Sequence, residues 1–167
     1  MKLQVGDQIP SFSVRDQNGE IRTSDEFNKP LVLFFYPKDD TPGCTIEACG
    51  FRDKYDLFQI LGAEVWGISN GDMKSHFKFA NKNKLQYPLL CDQNNILRKQ
   101  FGVPKTLGFI EGRVTYIISA QGTIIHIYED LLNGPGHIKE AIIALKKWGC
   151  ERRESDITQT HSCRQAE

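Results

Sequence analysis

Residues 31–53, LVLFFYPKDDTPGCTIEACGFRD, decide how this chain is read. Leu31–Tyr36 is an unbroken apolar run, too short for a stable helix and rich in aromatics, which fits a strand buried on both faces at the centre of a sheet. Pro37 ends it, a polar stretch from Lys38 to Gly43 follows, and Cys44 to Ile60 then reads as a helix with Phe51, Tyr55 and Phe58 on one side, closed by Gly62. Ala63–Ser69, AEVWGIS, is the next strand. Strand, helix, strand in that order predicts a parallel pair joined by a right-handed crossover, with the chemistry at the C-terminal end of the first strand, where Cys44 stands.

Outward from this unit the pattern stays α/β. Phe12–Thr23 places two short alternating segments around Gln17-Asn18-Gly19, a turn signal that predicts an N-terminal β-hairpin. Downstream, helices over 72–84 and 94–101 flank a short buried strand, Leu89–Cys91. Val114–Ser119 and Thr123–Tyr128, separated by Gln121-Gly122, form a second hairpin on the far side of the sheet. A final helix opens at Pro135, carries Ile138, Ile142, Leu145 and Trp148 at helical spacing, and stops at Gly149. The expected architecture is a central mixed β-sheet flanked by helices, in one domain over residues 1–149, with residues 150–167 a polar, mobile C-terminal tail.

Composition excludes several functions. Lys plus Arg equals Asp plus Glu at 21 each, so no whole-chain field draws the protein to nucleic acid or an anionic membrane. Residues 1–11 lack the basic start and apolar run of a secretory signal, and no stretch approaches the ~20 apolar residues of a membrane helix. The expected location is cytoplasmic. Five cysteines are too few for a disulfide-stapled scaffold and odd in number, so reduced or transiently oxidised thiols are expected.

Cys44 lies where a buried strand, a Pro-Gly loop and a helix start meet, so its sulfur sits near exposed helix N–H groups that favour a thiolate. Thr41, three residues earlier, has the spacing of a capping hydroxyl, and Pro42 shields the pocket from water. Taken alone, Cys44 could equally be an inert buried thiol.

The segment Phe34–Asp53 resembles the peroxiredoxin pattern Pro-x-x-x-Thr-x-x-Cys, matched by Pro37, Thr41 and Cys44. Cys49, five residues on, is similar to the arrangement of the Q-type peroxiredoxins, also called bacterioferritin comigratory proteins, and the likeness extends over roughly residues 3–148. The resemblance implies a thioredoxin-like fold and a thiol-specific peroxidase that reduces hydrogen peroxide and organic hydroperoxides and protects against oxidative stress. By residue, it implies Cys44 as the peroxidatic nucleophile that passes through a sulfenic acid. Cys49 is the resolving cysteine in a Cys44–Cys49 disulfide, Thr41 the hydrogen-bonding hydroxyl, Pro42 the solvent shield and Arg113 the active-site arginine. Glu47 also matches the pattern, with polarising the site as its implied role. Thioredoxin is the implied reductant, no cofactor or metal is called for, and a monomer is expected because both cysteines lie in one chain.

Helix geometry adds one consequence. Five residues rise ~7.5 Å and turn ~500°, whereas a disulfide needs Cα atoms within ~6.8 Å, so the stretch between Cys44 and Cys49 must unwind to form the bond. The remaining thiols read differently: Cys91 as a buried structural thiol, Cys150 and Cys163 with His161 as no common zinc pattern. His76, His126 and His137 form no readable constellation. Two rival functions share the expected fold: a thiol–disulfide oxidoreductase, which needs a Cys-x-x-Cys spacing absent here, and a non-catalytic binding or chaperone module that keeps its cysteines for packing.

Overall fold

The computed structural model describes the backbone of residues 1–164 and the side chains of residues 1–158. The elements run β1 (Ser13–Arg15), β2 (Ile21–Thr23), β3 (Leu31–Phe35), α1 (Pro42–Asp53), α2 (Tyr55–Ile60), β4 (Glu64–Ser69), α3 (Met73–Lys82) and β5 (Leu89–Cys91). They continue α4 (Ile96–Phe101), β6 (Lys105–Thr106), β7 (Ile110–Glu111), β8 (Val114–Ile118), β9 (Ile124–Glu129) and α5 (Gly134–Arg164). The five-stranded sheet has the order β5-β4-β3-β8-β9, with β3, β4 and β5 parallel and β8 and β9 antiparallel. β1 and β2 form the expected N-terminal hairpin in the register Ser13 to Thr23, turning through Gly19 at φ +81°.

β3 explains the central position. All five of its residues are buried, and successive side chains point to opposite faces, so one short segment seeds two cores. Val32 and Phe34 join Phe51, Phe58, Phe79 and Ile138 on the face covered by the helices α1, α2 and α5. Leu31, Leu33 and Phe35 join Trp66, Phe101 and Tyr116 on the other. The Phe34 and Phe51 rings stack at 4.5 Å between centroids, which ties α1 to the strand that leads into it.

Two helices differ from expectation in their bounds. The helix expected over 44–60 begins at Pro42, where a missing N–H costs nothing, and breaks at Lys54, whose φ of −104° and ψ of 8° end α1 although no glycine or proline marks the place. The last helix does not stop at Gly149 but runs to Arg164. Its extension is sustained locally: Glu and Arg at 151–154 are good helix formers, Arg152 stacks on Trp148 at 4.7 Å one turn back, and residues 151–158 are exposed. No helix among the described residues is long and apolar enough to cross a membrane.

Candidate active site

The parallel strand β3 ends at Phe35, and the chain passes through Tyr36–Thr41 into the first turn of α1. The backbone bond from Thr45 N–H to Thr41 carbonyl opens the helical ladder, so the amides of Gly43 and Cys44 precede it and carry the partial positive charge of a helix start. Cys44 is 1% exposed and its thiol is free. Its sulfur lies 3.5 Å from Nη2 of Arg113, which reaches across from the residue before β8. β3 and β8 are antiparallel neighbours with Phe35 opposite Val114, and this pairing brings together two residues 69 positions apart. Gly43 is what lets the guanidinium in: a Cβ at that position would stand 3.1 Å from Nη2.

Arg113 is held on three sides. Its Nη1 donates to Glu47 Oε1 at 2.9 Å and its Nε to the Leu131 carbonyl at 3.0 Å. Burial works against its charge, but Glu47 and Cys44 outweigh that and raise its pKa. Glu47 is fully buried, and burial pushes its carboxyl up to about 8 despite the adjoining guanidinium. Its second oxygen, Oε2, has no hydrogen-bond partner and lies 3.6 Å from His137 Nδ1. His137 Nε2 faces the Asp130 carbonyl at 2.8 Å and therefore carries the proton, which leaves Nδ1 to accept from the Thr115 hydroxyl at 2.8 Å. Burial lowers this imidazole to about 4, and Arg113 adds to the effect, so the ring stays neutral near pH 7.

The other expected residues are placed as follows. Pro42 occupies the first position of α1, beside Cys44 in the same turn. Thr41 stands at the N-cap, but its hydroxyl caps nothing: it donates to the Lys38 carbonyl at 2.9 Å, leaving its lone pairs for another donor. Cys49 is half-buried on α1, its thiol directed at Asn83 Oδ1 at 3.7 Å, and no disulfide links it to Cys44. Cys91 is buried on β5, and the side chains of Cys163 and His161 lie outside the described residues. No group of His, Cys, Asp and Glu suited to a metal occurs among the described residues.

Sequence reading missed two residues here. His137, which shows no constellation in the sequence, sits against Glu47 behind the thiol. Asp39, in the loop before α1, accepts from Tyr36 and Ser75 hydroxyls at 2.7 Å each and lies 2.6 Å from His76 Nδ1. Burial alone would raise that carboxyl, but the hydrogen bond and charge of His76 hold it below its ordinary range. Neither had a local signal, because Ser75 and His76 lie 36 and 37 residues from Asp39, and Glu47 lies 90 from His137.

Comparison with known proteins places this arrangement. Residues 5–127 match the AhpC/TSA family. Peroxiredoxin Q, chloroplastic, of Populus jackii is 44% identical over 147 residues, covering 87% of this chain and 69% of that protein, and its Arabidopsis thaliana counterpart is 46% identical over 87% and 68%. Among solved structures, peroxidoxin BcpB of Mycobacterium tuberculosis superposes with a TM-score of 0.80 at 34% identity, over 87% of this chain and 97% of the other. PrxQ of Xylella fastidiosa, solved as a cysteine-to-serine mutant, gives 0.82 at 30% over 89% and 99%. The fold is therefore thioredoxin-like, as its sheet order and neighbours agree. The expected cytoplasmic location does not stand, because these plant relatives are named chloroplastic. Compartment is set by an address segment read by receptors, and a packed domain carries no physical record of it. With a family match over most of its length and relatives above 40% identity, the chain belongs to the AhpC/TSA family, on its peroxiredoxin Q branch.

Proposed function

We propose that this thiol peroxidase works through Cys44 as the nucleophile, with Arg113 and the first turn of α1 stabilising its thiolate. The observation that carries the reading is the 3.5 Å approach of Arg113 Nη2 to a buried sulfur at a helix start, a cation and dipole directed at the same atom. The thiolate attacks one oxygen of a hydroperoxide and the O–O bond breaks. The sulfur is oxidised to sulfenic acid, and the departing alkoxide or hydroxide takes a proton from solvent and leaves as alcohol or water. Arg113 is placed to hold both the sulfur and the polarised oxygens, and Thr41, with its lone pairs free, to accept from the peroxide hydroxyl.

Cys49 then condenses with the sulfenic acid, expelling water and forming the Cys44–Cys49 disulfide. Both residues lie in α1, so that helix must open first. Opening breaks the bonds that pin α1 to its neighbours: Tyr87 hydroxyl to Ala48 carbonyl at 2.7 Å, Arg52 Nη1 to Asn83 carbonyl at 2.8 Å, and Cys49 to Asn83. A thiol reductant completes the cycle, and thioredoxin, acting on a monomer, is the reading we adopt. A cysteine hydrolase is disfavoured because His137, the imidazole beside the cluster, has both nitrogens engaged by Thr115 and the Asp130 carbonyl rather than by Cys44.

Stopped-flow oxidation of the reduced protein tests this. Cys44→Ser abolishes peroxide consumption, whereas Cys49→Ser consumes one equivalent and accumulates sulfenic acid that a dimedone reagent traps. Turnover by Cys44→Ser, or oxidation of the wild type no faster than free cysteine, overturns the proposal.

A further inference from the structure

A second buried guanidinium, 15 residues before Arg113, stands between the two segments that deliver Cys44 and Arg113. Arg98 is 2% exposed. Its Nη1 donates to the Gly112 carbonyl at 2.7 Å and its Nη2 to the Tyr36 carbonyl at 2.9 Å. Those acceptors are informative. Phe35–Val114 is the last register pair of β3 and β8, and beyond it the strands part, one into the loop leading to Cys44, the other back through Arg113 and Gly112. Tyr36 keeps its N–H on the β4 side, donating to Ile68, while its carbonyl turns to Arg98. Where the ladder ends, a guanidinium fork spans the gap.

The fork is itself held firmly. Asp92, directly after β5, accepts from the amides of Leu97 and Arg98 at 2.8 and 2.9 Å and so fixes the first turn of α4. The Arg98 guanidinium lies over the Phe35 ring at 5.6 Å, the last residue of β3. Two carbonyls on separate segments, a ring beneath and an anchored helix behind leave the planar group one orientation.

We propose that Arg98 is a positioning residue for peroxide reduction: by bridging the Tyr36 and Gly112 carbonyls it sets the separation between the Cys44 loop and Arg113. The inference rests on the reading that Cys44 and Arg113 carry the reaction. Geometry alone states it, and electrostatics agrees. Burial lowers the Arg98 pKa, and the groups that resist are Glu111, Asp92, Cys44 and Tyr116, so its charge and a Cys44 thiolate favour each other. Glu111 faces it from β7, with Oε2 at 3.6 Å from Nε, too long for a hydrogen bond, and both atoms lack a partner. The hydrogen bonds of its two Nη atoms thus go to the two backbone segments, and Glu111 pairs with it through charge alone.

A double-mutant cycle tests this. Arg98→Met removes fork and charge, Arg98→Lys keeps the charge and removes the fork, and each is combined with Arg113→Met. The readouts are the second-order rate with hydrogen peroxide and the pH midpoint of Cys44 alkylation. In Arg98→Met the rate falls about tenfold at neutral pH and the midpoint moves up by about one unit, the two being equivalent in free energy. Arg98→Lys recovers only part of the loss, and in the Arg113→Met background neither substitution costs a further factor of two, because there is no guanidinium left to place. Wild-type profiles in both variants, full recovery by lysine, or equal losses with and without Arg113 each overturn the inference. Should Arg98→Met not fold, Arg98→Lys carries the same cycle. Failure of the underlying reading is separable: it shows as turnover by Cys44→Ser, whatever the Arg98 variants do.

Discussion

Cys44, in the helix that follows β3, and Cys91, at the C-terminal end of β5, are both buried free thiols, yet they sit in opposite electrostatic surroundings. Cys44 faces the Arg113 guanidinium at a helix start. Cys91, on the edge strand β5, has Asp16, Asp39 and Asp72 around it, and burial first, then those carboxylates, push its thiol up to about 12. Burial is therefore common to both thiols, and it is the charge built around them that differs in sign. Cys91 is kept in the protonated form that a core can bury as a small apolar group.

The sharpest way to break this contrast is to delete each sulfur. Cys44→Ser loses turnover by at least about a thousandfold, the scale on which removal of a nucleophile is felt, while Cys91→Ala leaves peroxide consumption unchanged in a coupled assay. Removing the cation comes next. Arg113→Met slows oxidation by about a hundredfold, the scale on which removal of one donor aimed at developing charge is felt. It also leaves the buried Glu47 carboxyl without its hydrogen-bond partner, so the stability measured by urea unfolding falls by about 1–3 kcal/mol. Gly43→Ala separates placement from packing, since its Cβ presses on Arg113 Nη2 while alanine suits a helix. Oxidation slows by roughly tenfold with the melting temperature unchanged or raised, a geometric loss of the kind positional errors cause.

Glu47 offers a pH signature. Its folded pKa, about 8, lies above the ordinary 4.5, so the folded state binds the extra proton and stability declines as pH rises between those values. His137, lowered from 6.5 to about 4, acts in the opposite sense: the unfolded state binds the extra proton, and stability rises over that window. The two offset each other between about 4.5 and 6.5, leaving a net decline from 6.5 to 8 that Glu47→Gln removes in urea titrations at stepped pH. The smallest effect sharpens the Cys91 side. Asp72→Asn keeps the cap that accepts from Ser75 N–H but removes one of three carboxylates, so the alkylation midpoint of Cys91 drops by a few tenths of a unit.

Local pattern alone determined the architecture. A short apolar run with aromatics on both parities fits a strand buried on two faces, and β3 seeds both cores. The hairpin at Gln17-Asn18-Gly19 and the paired strands β8 and β9 followed from turn chemistry and alternation, and the motif around Cys44 pointed to the family. Two local readings failed. Gly149 does not stop α5, because a helix of exposed charged residues needs no core to continue, and Lys54 breaks a helix with no breaker in its sequence. What only the tertiary structure decided is the company each titrating group keeps. His137 meets Glu47, and Arg98 joins the Tyr36 and Gly112 carbonyls. Those pairings depend on strand order and on where two ladders part, and an electrostatic environment assembled across 14 to 90 positions of chain leaves no period or spacing to read.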